Sequence, residues 1–367
     1  MVKKKKILYL VRLAPPVHGA AKMNDIYLNS KLINKKYNIN YIKLNNYSNI
    51  KDIGKFNFKS IFNVFRVFFK LLYKLVIFRP NKVYLEMAPF GSAFLRDSIY
   101  VWLAKLFRKD IFIHFHAKGL NFYLSEHKSL EKYYKKVFKK TKVILLSPLL
   151  YSSFSKVISK KQVFYLPNGI KDEISEFKFN KFLKYKFDSK QIKFVYLSNM
   201  IKSKGPLDVL YFLKELEKNK IKYTCDFIGA WSSDEFKEKW NFTKNKLKLK
   251  NCNYLGPIYG SKKYDYLLKS NYLIFPTKYE KECFPLVILE AYMCGCSVLS
   301  YNNGAIKDIV VNKLGYISNK CYYKDFVNYI KLNQLNKNKS KYIRKYFLNN
   351  YLIDYSEEKL IDIFESK

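Results

Sequence analysis

Two glutamates, Glu282 and Glu290, bracket the segment of the sequence that is best suited to do chemistry. The residues between them read Cys-Phe-Pro-Leu-Val-Ile-Leu, and Gly295 follows shortly after. Pro285 suits the first turn of a helix, where its missing N–H is not needed, and Gly295 suits the left-handed position that ends one. The spacing therefore predicts a short apolar helix that follows one strand and precedes the next.

The start of that helix, at Leu286 and Val287, predicts an anion site. First-turn N–H groups have no intrahelical acceptor, and the helix dipole favours negative charge there. Glu290 lies roughly 7 Å further along the axis, at about 1.5 Å per residue, where a carboxylate can accept hydrogen bonds from both hydroxyls of a ribose. A lone glutamate is usually a solvated side chain. Glu290, however, lies in an apolar stretch that should be largely buried, so its carboxylate needs a partner.

The elements that must hold this segment form an alternating series. Apolar runs of strand length recur between helix-like stretches, which predicts buried parallel strands and an α/β fold. The predicted strands are Lys6–Leu13, Asn38–Leu44, Lys82–Met87, Ile111–His116, Lys142–Ser147, Gln162–Leu166, Lys193–Asn199, Tyr223–Gly229, Tyr272–Pro276 and Ser297–Tyr301.

The 367-residue length suggests about two domains. The polar stretch from Lys171 to Lys190 follows the turn Pro167-Asn168-Gly169 and precedes a new series of strands, so we place the boundary there. The prediction is an N-terminal domain over 1–185, a C-terminal domain over 186–340 and a C-terminal helical segment over 341–367 that packs back on the first domain. Two α/β domains that face each other across a cleft would provide a ligand site.

The charge is strongly positive, with 69 Lys and Arg against 29 Asp and Glu, a formal net charge of +40. Such a field favours phosphorylated substrates, an anionic membrane face or nucleic acid, and does not choose among them. The six cysteines form no C-x-x-C pair, and all four histidines lie in the other half of the chain, so we expect no metal site and reduced thiols in a cytosolic protein. The N-terminal apolar run is too short for a membrane span or a signal peptide.

A basic stripe occurs on a second predicted helix, near residues 61–78. Arg66, Lys70 and Lys74 are spaced by four, and bulky apolar residues surround them. This pattern is typical of a helix that lies on an anionic membrane surface. It is equally typical of a helix that covers a sheet and turns its charged stripe to water, and the sequence leaves both interpretations open.

The segment from Glu282 to Ala291 resembles the E-x-F-P-x-V-x-L-E-A signature of glycosyltransferase family 4. The resemblance implies the GT-B fold, with two Rossmann-like domains, and a nucleotide-diphosphate sugar as donor substrate without a further cofactor. It implies that Glu290 binds the donor ribose, that Glu282 lies by the donor sugar, and that Phe284, Leu286 and Val287 line the donor site.

Three further segments are similar to the same family. Lys204 matches its phosphate-binding lysine, although Asn199 stands where the family usually has arginine. Gly19, in Pro15-Pro-Val-His-Gly-Ala, matches a glycine turn after the first strand that approaches the donor phosphates. His116 matches a histidine that contacts the donor sugar and is favoured over His114, since only His116 reaches the strand end. A core histidine is the alternative.

The implied activity is that of a hexosyl-type glycosyltransferase (EC 2.4) that retains anomeric configuration. The sequence contains no D-x-D motif, the pair that holds a metal on the diphosphate in the other major fold of such enzymes, so we expect a metal-independent reaction. The acceptor would be a cell-surface glycan or a lipid-linked sugar, as in capsule or lipopolysaccharide assembly. The enzyme would be cytoplasmic, with a possible peripheral membrane association. The alternatives are a nucleic-acid-binding protein, which leaves the two glutamates unexplained, and an inactive scaffold with the same fold.

Overall fold

The computed structural model describes residues 4–15, 19–45, 58–311 and 313–366, and the chain divides into two compact units. Unit 1 comprises Met1–Asn168 together with Asp354–Lys367, and unit 2 comprises Gly169–Ile353. The predicted boundary at residue 185 falls inside a helix of unit 2, because the polar stretch taken as a linker folds as an amphipathic helix. The segment predicted to return to the first domain is divided: only its part from Asp354 onward belongs to unit 1.

Unit 1 is built on a six-stranded parallel sheet in the order β2-β1-β3-β4-β5-β6. Its strands are β1 (Lys6–Val11), β2 (Asn38–Lys43), β3 (Lys82–Glu86), β4 (Asp110–Phe115), β5 (Lys142–Leu145) and β6 (Val163–Tyr165). Its helices are α1 (Gly19–Asn29), α2 (Lys31–Lys36), α3 (Phe58–Ile77), α4 (Gly91–Leu106), α5 (Leu120–Glu126), α6 (Glu131–Phe138) and, from the end of the chain, α15 (Ile353–Glu365).

Strand alternation divides the core of unit 1 into two layers. Residues such as Leu8, Leu10 and Val83 pack with α3, α4 and α6 on one face of the sheet. The intervening residues, Tyr9, Tyr84 and Phe112, point to the other face, where the ring of Phe364 on α15 meets all three edge-on. The last helix therefore completes the core that the first strand begins.

Unit 2 repeats this architecture with the order β12-β11-β10-β7-β8-β9, again all parallel. Its strands are β7 (Ile192–Leu197), β8 (Tyr223–Ile228), β9 (Cys252–Tyr254), β10 (Tyr272–Phe275), β11 (Ser297–Tyr301) and β12 (Gly315–Ser318). Its helices are α7 (Glu176–Asp188), α8 (Pro206–Lys218), α9 (Asp234–Lys246), α10 (Lys262–Lys269), α11 (Leu286–Met293), α12 (Ile306–Ile309), α13 (Lys324–Leu332) and α14 (Lys337–Asn350).

All ten predicted strands are present, and β9 and β12 are additional. None of the described helices combines the length and the apolarity that a membrane-spanning segment requires. In both sheets the strand order reverses next to the first strand of the unit, between β1 and β3 and between β7 and β10. Parallel sheets bind ligands at such reversals, beyond the carboxyl ends of the strands, so these two places are where a site is expected.

Candidate functional site

The reversal in unit 2 brings together three loops. A single turn of 3-10 helix (Lys202–Lys204) follows β7, a longer loop joins β10 to α11, and a third follows β11. Gly205 closes the first loop in a left-handed conformation (φ 78°), and a Cβ there would lie 2.2 Å from the backbone oxygen of Pro276. The loops after β7 and β10 are therefore in direct backbone contact, and only glycine permits it.

This contact places Lys204 beside Glu282. The Lys204 ammonium forms an ion pair with Glu282 Oε2, and Thr277 Oγ1 lies 3.5 Å from the same oxygen. The ammonium also lies over the rings of Phe275 and Tyr279, 5.3 Å and 4.8 Å from their centroids. The two charged side chains remain 15% and 11% exposed. Two residues separated by 77 others, each predicted for the donor site, thus meet at the strand-order reversal.

The third loop supports Glu282 from the other side. Gly304 is also left-handed (φ 58°), and a Cβ there would lie 2.3 Å from the Glu282 carbonyl oxygen. Ala305 N–H donates to the Cys283 carbonyl oxygen at 2.8 Å, and the Asn303 amide donates to the Tyr279 carbonyl oxygen at 2.8 Å. The backbone that carries Glu282 is therefore held by its neighbours and not by the side chain alone.

Helix α11 starts at Leu286, with Pro285 as its N-cap residue in an extended conformation, one position earlier than the helical role predicted for the proline. Leu286 and Val287 are partly exposed, whereas the next residues are buried. Gly295 follows the helix with φ 66°, as predicted for a left-handed terminus. The N–H groups of the first turn are thus the part of α11 that solvent, or an anion, can reach.

Glu290 is buried, and it has the partner that burial demands. Its Oε1 lies 2.7 Å from the Lys263 ammonium, with the two side chains 6% and 18% exposed. Lys263 lies in the first turn of α10, and the sequence analysis did not identify it. Nothing in a Lys-Lys-Tyr segment distinguishes it from the many other lysines of the chain, and only the packing of α10 against α11 shows its role.

The other residues of unit 2 that bear on the predicted donor site make aromatic and backbone contacts or are exposed to solvent. Phe284 is 7% exposed and meets the ring of Tyr351 edge-on at 6.3 Å. Asn199 is exposed at the end of β7, and its carbonyl oxygen accepts from the Tyr196 hydroxyl at 3.2 Å. Lys202 is exposed in the following turn. At the position where the family motif has arginine, this chain thus has the amide side chain of Asn199, and the exposed Lys202 follows three residues later.

Gly19 and His116 both lie at the carboxyl edge of the sheet of unit 1. Gly19 begins α1 after β1, and His116 directly follows β4. His114 and His116 share one side of the strand, as predicted, with ring centroids 4.1 Å apart. His114 is fully buried, its Nδ1 lies 2.5 Å from the Tyr84 hydroxyl, and burial holds its pKa well below the ordinary value. It is a neutral core histidine. His116, in contrast, is half-buried and lies just beyond the carboxyl end of β4. His18 lies outside the described residues.

The reversal in unit 1 contains a buried charge network that the sequence analysis missed. The Arg12 guanidinium bridges Glu86 and Asp97, at 3.1 Å to each. The Asn24 amide also donates to Glu86, and Ala88 N–H donates to Asp97 at 2.9 Å. Arg12 directly follows β1, Glu86 ends β3, and Asp97 lies on α4, where Arg96 also pairs with it at 2.7 Å. These residues are far apart in the sequence, so no local pattern indicates that they meet.

The predicted basic stripe on α3 is only partly at the surface. Lys70 is exposed. Arg66 donates to the Lys43 carbonyl oxygen at 3.1 Å, and Lys74 donates to Asn40 Oδ1 at 2.7 Å, so both lie along β2. Burial and the nearby Lys70 lower the pKa of Lys74. Two of the three cations therefore bind the edge of the sheet.

Among the described residues, no group of three or more His, Cys, Asp or Glu side chains is arranged to hold a metal ion. The charges at the unit 2 site are instead paired lysines and carboxylates. Such a site can bind an anion by exchanging one partner of a lysine for another. Its chemistry is therefore that of phosphate recognition and of hydrogen bonding to hydroxyls.

Residues 177–348 match the family model described as glycosyl transferases group 1. The match covers just under half of the chain and lies entirely within unit 2. No curated protein sequence matches the chain significantly.

Several solved structures are similar over almost the whole chain. The glycosyltransferase from Rickettsia africae ESF-5 has a TM-score of 0.75 at 19% identity, covering 99% of this chain and 98% of that one. Anabaena HepE in complex with UDP and glucose has a TM-score of 0.69 at 12% identity, covering 99% and 100%. The lipopolysaccharide outer core galactosyltransferase WaaB in its apo form has a TM-score of 0.68 at 15% identity, covering 98% and 99%. The predicted fold class, α/β of the GT-B type, is confirmed.

Proposed function

We propose that this protein is a retaining glycosyltransferase of family 4 that transfers a hexosyl residue from a nucleotide-diphosphate sugar. The observation that carries the proposal is the pair Lys204–Glu282 at the strand-order reversal of unit 2, beside the start of α11. Lysine and first-turn N–H groups there suit a diphosphate, and the buried Glu290 suits a ribose. The family match of unit 2 and the UDP and glucose bound to a protein of the same fold support this assignment.

In this proposal the donor changes the partner of Lys204. In the structure the ammonium is paired with Glu282. A bound diphosphate would take over that role and would place the donor sugar near Glu282, whose carboxylate could then accept from sugar hydroxyls. Lys204 and the N–H groups of Leu286 and Val287 would stabilise the charge that develops on the leaving diphosphate, so that the chain's own cations do the work of a metal. We assign no carboxylate as a nucleophile.

Phe284 would support this wall of the donor site. From unit 1, Gly19 would approach the donor phosphates and His116 the donor sugar. The acceptor we propose is a cell-surface glycan or a lipid-linked sugar, on the cytoplasmic side of the membrane. The support for this acceptor class is the shared fold of a lipopolysaccharide outer core galactosyltransferase and the strongly basic chain.

The test is a panel of nucleotide sugars, measured by calorimetric binding and by hydrolysis, on the full chain. We expect one or a few donors to bind. We expect Lys204→Ala to lower the rate constant kcat/KM by about 100-fold, as loss of one preorganised cationic donor does. Glu290→Ala should weaken donor binding by about 10- to 100-fold, the effect of losing hydrogen bonds to a charged acceptor.

The matched control is Lys214→Ala, which removes a lysine of the same unit that also pairs with a glutamate, Glu217, but on the outer side of α8. It should leave binding and turnover unchanged. If neither Lys204→Ala nor Glu290→Ala weakens binding more than this control, the site assignment is wrong. Donor binding without any turnover would instead indicate the inactive scaffold.

A further inference from the structure

Helix α3 carries apolar residues on two opposite sides. Val67, Leu71 and Leu75 are buried against the sheet of unit 1. On the opposite side, large apolar residues at helical spacing are exposed. Between 58% and 69% of each side chain is exposed in Phe62, Phe65, Phe69 and Tyr73, and Val76 and Ile77 continue the same side. Since a helix on a sheet normally turns polar residues outward, this second apolar side is a departure that needs an explanation.

The neighbouring helix α4 continues this surface. It packs in the same layer as α3, and both contribute to one core cluster. Its outward residues Leu95, Ile99, Trp102 and Leu106 follow a 4-3-4 spacing and are exposed by 48%, 42%, 40% and 76%. We call the exposed apolar side chains of α3 and α4 together the α3–α4 face.

The exposed apolar area of the α3–α4 face is larger than that of a few isolated surface residues. If a fully exposed aromatic side chain presents about 200 Å², the four aromatic residues of α3 alone expose roughly 500 Å². The residues of α4 add to this. Contiguous apolar patches of more than a few hundred Å² usually bind a partner.

The charges around this face are positive. Helix α6, which adjoins α4, turns Lys132, Lys136 and Lys139 away from the core, and all three are exposed. Lys70 and Arg79 on the α3 side are exposed as well. Over the ranges of α3, α4 and α6 the sequence has only two carboxylates: Asp97 is buried, and Glu131 pairs with Lys135 at 2.6 Å.

We propose that the α3–α4 face docks on an anionic lipid bilayer. The apolar side chains would enter the region between headgroups and acyl chains, and the lysines beside them would contact lipid phosphates. The residues proposed to attach the protein to the membrane differ from those of the sequence prediction. Arg66 and Lys74 bind the sheet edge, and the aromatic side of α3 becomes the inserted part.

Charge complementarity decides between this occupant and the others. A second copy of the chain, which carries a net charge of +40, would bring like-charged rims together, and this disfavours a dimer through this face. A nucleic acid would satisfy the lysines and could stack bases on the aromatic side chains, but it would leave the leucine, isoleucine and valine side chains of the face without an apolar partner. An anionic membrane matches the apolar centre and the basic rim together.

The experiment uses the full chain and vesicles of phosphatidylcholine, with and without phosphatidylglycerol, in a flotation assay at low salt. We expect binding to the anionic vesicles and at least tenfold weaker binding to the neutral ones. The double variant F65S/F69S should lower the partition coefficient on anionic vesicles by at least tenfold. Both side chains are mostly exposed, so the variant should fold as the wild type does.

The matched control is F177S/F242S, which removes two aromatic side chains that are 80% and 68% exposed in unit 2. It should bind vesicles like the wild type. The charge-reversed variant K132E/K136E should weaken binding to anionic vesicles and leave the weak binding to neutral vesicles unchanged.

Trp102 supplies a readout of where the membrane lies. Of the three tryptophans, it alone belongs to unit 1 and to the α3–α4 face. Lipids with brominated acyl chains should quench its fluorescence, and the W102F variant should lose this quenching while it keeps the emission of Trp231 and Trp240.

Three results would overturn the proposal. One is that the wild type does not float with anionic vesicles at low salt. Another is that F65S/F69S and F177S/F242S bind equally, because attachment would then depend on charge elsewhere. The third is that the wild type is a dimer by light scattering and F65S/F69S a monomer, which would assign the face to a second copy.

Discussion

The two strand-order reversals of this protein hold their charges in different ways. In unit 1, Arg12 bridges Glu86 and Asp97, and each carboxylate also accepts from a further group, the Asn24 amide or the Ala88 N–H. In unit 2, the Lys204 ammonium pairs with one carboxylate, that of Glu282, and Thr277 makes only a long contact of 3.5 Å to the same carboxylate. The first arrangement is a multidentate network with carboxylates 6% and 0% exposed, and the second is a single pair within reach of solvent.

The difference indicates which reversal is structural and which can exchange a ligand. A guanidinium in a fork of carboxylates fixes the ends of several elements, and its removal leaves buried charges without compensation. A lysine with one carboxylate can give up that partner for a phosphate at little cost, since an ammonium has no fixed geometry. If the proposed donor site is right, the same topology serves stability in one unit and binding in the other.

The largest effect should follow from breaking the network of unit 1. We expect Arg12→Met to lower the free energy of unfolding of unit 1 by about 3–5 kcal/mol, the cost of leaving the buried Glu86 carboxylate without a cation, while Asp97 keeps its pair with Arg96. Urea denaturation followed by circular dichroism measures this as an earlier first transition. Arg108→Met, at an exposed arginine, is the control and should have almost no effect. In contrast, Lys204→Ala removes the cation of a single pair that keeps some contact with solvent, and should cost about 1–3 kcal/mol; an equal loss for both would contradict the comparison.

A smaller effect is expected at the second pair of unit 2. Lys263 orients the Glu290 carboxylate from 2.7 Å, so Lys263→Met should weaken donor binding by up to about tenfold, which corresponds to one charged hydrogen bond. The melting temperature should also fall, because the buried Glu290 carboxylate loses the ammonium that compensates its charge. The adjacent exposed Lys262 provides the matched control, Lys262→Met. Calorimetric titration with the donor identified in the panel measures both, and unchanged affinity in Lys263→Met would remove this residue from the site.

The smallest effect concerns Lys105, a lysine on α4 whose ammonium donates to backbone carbonyl oxygens. Lys105 donates to the carbonyl oxygens of Lys136 and Val137, and burial, with a contribution from Lys139, lowers its pKa from an ordinary 10.5 to about 8. The unfolded chain therefore holds this proton more tightly than the folded one.

The sign of the pH dependence follows from this difference. Between pH 8 and pH 10.5 the unfolded state binds more protons at Lys105, so its contribution to stability rises with pH across that window. Melting temperatures of the wild type and of Lys105→Met, measured at pH 7 and pH 10, should differ by an amount that grows in favour of the wild type at high pH. A constant difference would show that the pKa is not lowered.

Much of the fold could be predicted because buried parallel strands are continuous apolar runs. All ten predicted strands exist, with ends within one or two residues. The strands β9 and β12 were missed because Cys252–Tyr254 has three residues and Gly315–Ser318 mixes glycine and serine with its apolar residues. The domain boundary was placed too late because α7 is lysine-rich and resembles a linker in composition.

The site could be predicted only where a local motif carries it. Glu282, Glu290 and the start of α11 lie within nine residues, and their spacing was sufficient to predict the helix α11 itself. Lys263 and the Arg12 network could not be found in the same way. Lys263 is 27 positions from its partner Glu290, and Arg12 is 74 or more positions from its partner carboxylates. Whether such residues meet depends on helix packing and strand order.

Helix α15 has a consequence for the order in which the protein can fold. Phe364 closes the layer over Tyr9, Tyr84 and Phe112, yet the ribosome makes those three residues long before Phe364. The whole of unit 2, residues 169–353, is synthesised in between. At about 5–20 residues per second, this face of the first sheet waits roughly 10–40 s for its cover. Unit 2 is therefore synthesised in full before the core of unit 1 can close, although unit 1 begins earlier.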